Sequence, residues 1–130
     1  CFSEDTGLII EALNGEPGVF SARYAGEHAT VSDNIQLVLK KMNRISNRKA
    51  YFKTVITYFT LSNYVQFEGI TEGEILNKSI GEGGFGYDAI FKPLNSNKSY
   101  AEMSLNEKNS FSHRKKSFDK FANHLKQITV

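Results

Sequence analysis

Residues 51–70 constrain the fold more than any other stretch of the chain. Tyr51 to Leu61 is crowded with β-branched and aromatic side chains, which suit a pleated, half-buried surface and read as a strand. Val65 to Ile70 has the same character, and Ser62-Asn63 between them reads as a two-residue hairpin turn. Two helical patterns flank this pair. Ile35, Val38, Leu39 and Met42 recur at helical spacing behind Ser32 as the expected N-cap, and Lys40, Lys41 and Arg44 load the last turn. From Ser112 a final helix carries Phe118, Phe121, Ala122 and Leu125 on one face, a spacing that points to core packing.

The remaining elements are shorter. Leu8 to Leu13 is an apolar run closed by the turn signal Asn14-Gly15, and Glu16-Pro17-Gly18 continues that loop. Val19 to Tyr24 fits extended or helical structure, and Asn43 to Lys49 is a polar connector. Gly73-Glu74-Ile75-Leu76 predicts another short strand, as does Ala89-Ile90-Phe91 ahead of Pro93. Ser104-x-x-Glu107 has the form of a capping box.

With 130 residues and 40% apolar content, the chain is expected to form one domain, 1–130, with a sizeable core. A formal charge of +2 argues against nucleic-acid or membrane partners. The single cysteine, Cys1, excludes an internal disulfide and a CxxC metal site. No run reaches bilayer-spanning length and nothing resembles a signal peptide, so a soluble, cytoplasmic protein is expected. The chain opens on Cys with an acidic pair close behind, and an upstream segment is expected.

Three clusters carry chemistry. Gly81-x-Gly83-x-x-Gly86 matches the dinucleotide fingerprint in letters, but that motif needs a helix after it to meet a pyrophosphate. Here the chain runs on through Tyr87-Asp88-Ala89-Ile90-Phe91-Lys92-Pro93, a strand pattern, so the Rossmann reading fails. What remains is a glycine hinge presenting Phe85 and Tyr87. Phe85 either stacks on a base, worth about 1–3 kcal/mol, or plugs the core. Glu4-Asp5-Thr6-Gly7 sets adjacent carboxylates on a strand, whose neighbours point to opposite faces. One of them can reach a metal such as Mg²⁺, which takes one or two carboxylates with phosphates and water, or the pair is a solvated acidic turn. Ser112-His113-Arg114, with Lys108 upstream, gathers donors suited to a carbonyl oxygen and opposed to an amino group.

Read together, these stretches resemble the inosine triphosphate pyrophosphatase (Ham1-like) family. The matching segments are Glu4-Asp5-Thr6-Gly7-Leu8, the block Ala12 to Glu27, Phe67-Glu68-Gly69, Gly83 to Asp88, Ala101 to Ser104 with Glu107-Lys108-Asn109, and Ser112-His113-Arg114. They run in family order over nearly the whole chain. The resemblance implies an α/β domain, a mixed twisted sheet flanked by helices in two lobes, and a homodimer. It implies a Mg²⁺-dependent hydrolase that cleaves the α–β phosphoanhydride of inosine, deoxyinosine and xanthosine triphosphates.

By the same resemblance, Asp5 is the metal-binding general base with Glu4 beside it at the metal, and Thr6 is a substrate contact. Phe85, Gly86, Tyr87 and Asp88 form the base loop, and Lys108, His113 and Arg114 read the base. A non-catalytic purine-nucleotide-binding module is the alternative. Three departures stand out: the family's Thr/Ser-x-Asn-x-x-Lys phosphate loop and metal-binding helix Glu do not occur here. Ala89 replaces a common proline, and Ser3 replaces a small apolar residue.

Overall fold

A computed structural model describes residues 1–128. Four strands, β1 (Phe2–Ile10), β2 (Lys49–Phe59), β3 (Tyr64–Ile75) and β4 (Phe91–Pro93), form one sheet in sequential order. The helices are α1 (Val31–Lys41), α2 (Leu105–Asn109) and α3 (His113–Ile128). The α/β class stands. Within the sheet, the expected mixture of directions gives way to three antiparallel pairings. β2 and β3 are joined by residues 60–63, far too short a link for the crossover a parallel pair needs.

Several element edges differ from the sequence pattern for identifiable reasons. The hairpin turn has four residues rather than two, closed by Thr60 N donating to Asn63 O at 2.8 Å and by the Thr60 hydroxyl. The segment at Gly73 is no separate strand. It prolongs β3, because Gly73 to Ile75 pair with β4 while Gly73 and Glu74 still pair with β2. Ala89 and Ile90 lie in a 3₁₀ turn (Asp88–Ile90), so only Phe91 of that run is a strand residue. Residues Gly18–Arg23 resolve as a 3₁₀ segment. α1 is capped by Thr30 instead of Ser32: the Thr30 hydroxyl accepts from Asp33 N at 3.1 Å and the Asp33 carboxylate accepts from Thr30 N at 2.9 Å. That reciprocal box satisfies two N-terminal donors at once. The Ser104/Glu107 box of α2 forms as the sequence implies.

Strand alternation assigns Leu8, Ile10, Phe52 and Ile56 to one face, where all are buried. At one end that face meets Ile35, Val38 and Met42 of the core cluster. At the other, the Phe121 ring of α3 lies 5.1 Å from Phe2, 5.4 Å from Tyr58 and 5.6 Å from Phe67. Burial of each large apolar side chain contributes about 1.5–3 kcal/mol. Of the aromatic stripe on α3, Phe121 is buried, Phe118 and Leu125 are half-buried and Ala122 is exposed. On the opposite face of the sheet, β2 and β3 residues are exposed or half-buried, with Lys53 and Glu68 paired at 3.2 Å.

Gly69 decides how near α3 can lie. An added Cβ there would stand 2.6 Å from Ser117 N and closer still to His113 O, so the helix backbone rests directly on β3. From that position Lys116 and Lys120 donate to the carbonyls of Ile70 and Glu68, each at 2.7 Å, along the edge that β4 leaves uncovered.

Candidate functional site

The period of two along β1 divides the acidic pair. Glu4, Thr6 and Leu8 border a cavity of 530 Å³, whereas Asp5 lies on the other face of the strand and is exposed. The cavity is closed by the glycine loop, α2 and the first turn of α3. It takes in Phe85, Gly86, Tyr87, Asp88, Lys108, His113 and Arg114. Of the residues that the sequence marks, Asp5 alone stands outside it.

The glycine loop is held from two sides. The Tyr87 hydroxyl donates to Ser21 O at 2.5 Å, and the Ser21 hydroxyl accepts from Leu8 N at 3.0 Å while donating to Gly18 O at 2.6 Å. Burial pushes the Tyr87 hydroxyl well above its usual range, so it remains a donor. Asp88 is buried, and one of its oxygens accepts both the Phe85 N–H at 3.0 Å and the Lys108 ammonium at 2.5 Å. Gly84 and Gly86 take φ of 72° and 56°, the left-handed conformation this turn requires. The outcome for Phe85 is 70% exposure at the cavity, with the Lys108 ammonium 4.4 Å from its ring centre. Phe85 is therefore a surface platform, and the core-plug alternative falls away.

The basic triplet splits into a buried ring and an exposed fork. His113 is 8% exposed and its ring stacks on Phe52 at 4.8 Å and 14°. Burial, and then the cations Lys108, Lys116 and Arg114, push its imidazole down to about 4. Its Nδ1 is buried without a hydrogen-bond partner, so a charged ring would bury an unsatisfied N–H. At neutral pH the ring is uncharged. Arg114 reaches back to β1: its Nε meets Glu4 Oε1 at 2.6 Å and its Nη2 meets Oε2 at 3.1 Å. The guanidinium also lies 5.6 Å from the Phe118 ring centre.

Thr6 shares a 2.8 Å hydrogen bond with Thr54 on the neighbouring strand. Phe52, outside every matching segment, and Ser21, inside the Ala12 to Glu27 block, are cavity residues to which the sequence reading gives no role. The signal for Phe52 lies in the register: Leu8 faces Phe52 and Thr6 faces Thr54, so a cavity on β1 extends onto β2. Ser21 acts through its hydroxyl, which accepts from Leu8 N, and its carbonyl, which accepts from the Tyr87 hydroxyl, contacts that no residue pattern announces.

Magnesium fits this donor set only narrowly. Among the described residues no three His, Cys, Asp or Glu side chains gather as a metal cluster, and both Glu4 oxygens are engaged by Arg114. Asp5 supplies one free carboxylate, which suffices where phosphates and water complete the shell.

The arrangement matches known proteins closely. A dITP/XTP pyrophosphatase of Flavobacterium johnsoniae is 51% identical over 116 residues, 89% of this chain and 60% of that protein. One from Thermoanaerobacter sp. is 46% identical over 125 residues, 95% of this chain and 63% of its own length. The chain thus spans about 60% of the curated relatives it matches. The Staphylococcus aureus Ham1 protein superposes with a TM-score of 0.92 at 38% identity, covering 97% of this chain and 66% of that one. A HAM1 protein from Coxiella burnetii gives the same figures. The family model described as the Ham1 family matches residues 1–124, and the chain belongs to that family.

Proposed function

We propose that the protein is a nucleoside triphosphate pyrophosphohydrolase that removes non-standard purine nucleotides from the nucleotide pool. Inosine, deoxyinosine and xanthosine triphosphates would be cleaved between the α and β phosphates, releasing the monophosphate and pyrophosphate. One observation carries this reading: three donors, Lys108, His113 and Arg114, converge with the exposed Phe85 ring on one cavity bordered by β1, the strand that carries Asp5 on its other face. The relatives named dITP/XTP pyrophosphatases support it.

In this reading the purine lies on Phe85, and Gly86, Tyr87 and Asp88 shape the edge of its slot. Arg114 and His113 donate to a 6-keto oxygen. A 6-amino group would set donor against donor and leave the site's own hydrogens unpaired, a loss of several kcal/mol in comparable sites. Thr6 contacts the sugar–phosphate part. Asp5 is the carboxylate left for the phosphate end, where it takes the proton from the attacking water and would hold Mg²⁺. The ion, when bound, supplies charge neutralisation at the phosphates. A homodimer in the cytoplasm belongs to the same reading, supported by family membership; among the described residues no helix is long and apolar enough to cross a membrane.

Pyrophosphate release from inosine and adenosine triphosphates, with and without Mg²⁺, tests the proposal. Metal-dependent turnover of the inosine nucleotide alone, lost in Asp5→Asn, is the expected result. The second reading, a purine-binding module without catalysis, is favoured by the absence of a metal-ligand cluster among the described residues. Its signature is inosine monophosphate binding with no turnover of any triphosphate.

A further inference from the structure

Glu4 and Asp5 are neighbours in sequence but are parted by the strand that carries them, and Glu4 spends both oxygens on Arg114. A guanidinium has five N–H donors in a fixed plane. Glu4 takes the Nε hydrogen and one Nη2 hydrogen through a two-point contact that allows one orientation of the fork. Three hydrogens remain, two on Nη1 and one on Nη2. The Phe118 ring beside the guanidinium restricts its plane further. Arg114 itself is 54% exposed along its side chain, so without that grip a long, flexible arm would sample many directions at the cavity mouth.

We infer that Glu4 is a positioning residue for base recognition: it orients the Arg114 fork so that the remaining N–H groups face a 6-keto oxygen, and it is not a metal ligand. The inference rests on the pyrophosphohydrolase reading and assigns Glu4 to the base end of that same site. The physical basis is an exchange of entropy. Fixing Arg114 during folding removes an ordering cost that binding would otherwise carry. A carboxylate already chelated by a guanidinium must break two charge-assisted hydrogen bonds before it can join a metal's inner shell.

The test measures dissociation constants of inosine 5′-monophosphate and adenosine 5′-monophosphate by calorimetry without divalent metal. It compares the unmodified chain with Glu4→Gln, Glu4→Asp, Arg114→Ala and the double variant Glu4→Gln/Arg114→Ala. The ratio of the two constants cancels the general effect of removing a negative charge near an anionic ligand. The expected preference for the inosine nucleotide falls about tenfold in Glu4→Gln, as for one lost charge-assisted contact. It falls as well in Glu4→Asp, which keeps the charge but is one methylene too short for the two-point contact. In the Arg114→Ala background the Glu4→Gln change then has no further effect. A preference unchanged in Glu4→Gln or fully restored in Glu4→Asp overturns the inference alone. An equal loss with and without Arg114 does the same. An unmodified chain that fails to distinguish the two nucleotides refutes the base-site reading, and the role of Glu4 with it.

Discussion

Substituting Gly69 by Ala tests whether α3 is held on the sheet by direct backbone contact. The new Cβ would lie 2.6 Å from Ser117 N, 2.9 Å from Lys116 Cβ and nearer still to His113 O. Ordinary contact begins at 3.4 Å, so clearing Ser117 alone requires α3 to withdraw by about 0.8 Å, the difference between those two distances. Two of the three obstacles are main-chain atoms, and no rotamer relieves them. Overpacking of this kind costs about 1–3 kcal/mol or more, offset by roughly 0.5–1 kcal/mol because Ala has less freedom than Gly to lose in a strand. A net loss of about 1–2 kcal/mol corresponds to a fall in Tm of roughly 3–10 °C for a domain of this size. Because the first turn of α3 carries His113 and Arg114, the same displacement weakens inosine monophosphate binding. Calorimetric unfolding and ligand titration read both effects. A variant that unfolds within about 1 °C of the parent and binds the nucleotide unchanged would refute the packing argument.

Other perturbations separate the remaining contributions. Phe85→Ala weakens inosine monophosphate binding by about 1–3 kcal/mol, the worth of one stacked base, while thermal stability holds, since the ring is 70% exposed. Asp88→Asn leaves the mostly buried Lys108 ammonium without its partner and costs about 3–5 kcal/mol in denaturant unfolding; adding Lys108→Met recovers most of that loss. The pH dependence follows from His113, whose folded value of about 4 lies below the unfolded 6.5. Between those limits the unfolded chain binds a proton that the folded chain refuses, so stability is complete above pH 6.5 and declines as pH falls toward 4. That component is on the order of 3 kcal/mol, and it disappears from the pH profile of His113→Gln.

How far the sequence discloses this molecule depends on the range of the forces involved. The hairpin is legible because β-branched and aromatic composition is a local property, and the Ser104/Glu107 cap because both partners lie within one turn. α1 shows the limit: Ser32 and Thr30 are both competent caps, and only the reciprocal bond from Asp33 selects Thr30. Gly73 reads as the start of a separate short strand because glycine weakens the middle of a continuous one. Its real role is set by β4, distant in sequence, where a side chain would collide with the Lys92 carbonyl first, then the Phe91 ring and Pro93. In the site, the motifs mark the residues that the cavity gathers, yet they present Glu4 and Asp5 as a pair. Strand alternation separates them, and only the distant Arg114 shows which carboxylate is engaged. Arg48 carries no motif at all, although its guanidinium donates to Met42, Ile75 and Leu76 carbonyls and ties α1 to β3.

The two-sided hold on the glycine loop bears on how tightly the proposed purine ligand would be gripped. A loop rich in glycine loses more freedom on becoming ordered than any other kind, and a loose one would charge that loss against every ligand it received. With Tyr87 fastened to Ser21 and Asp88 fastened to Lys108, the ordering is completed when the chain folds. In the proposed reading an arriving base would meet a finished shelf, and the full worth of stacking on Phe85 would be available as affinity.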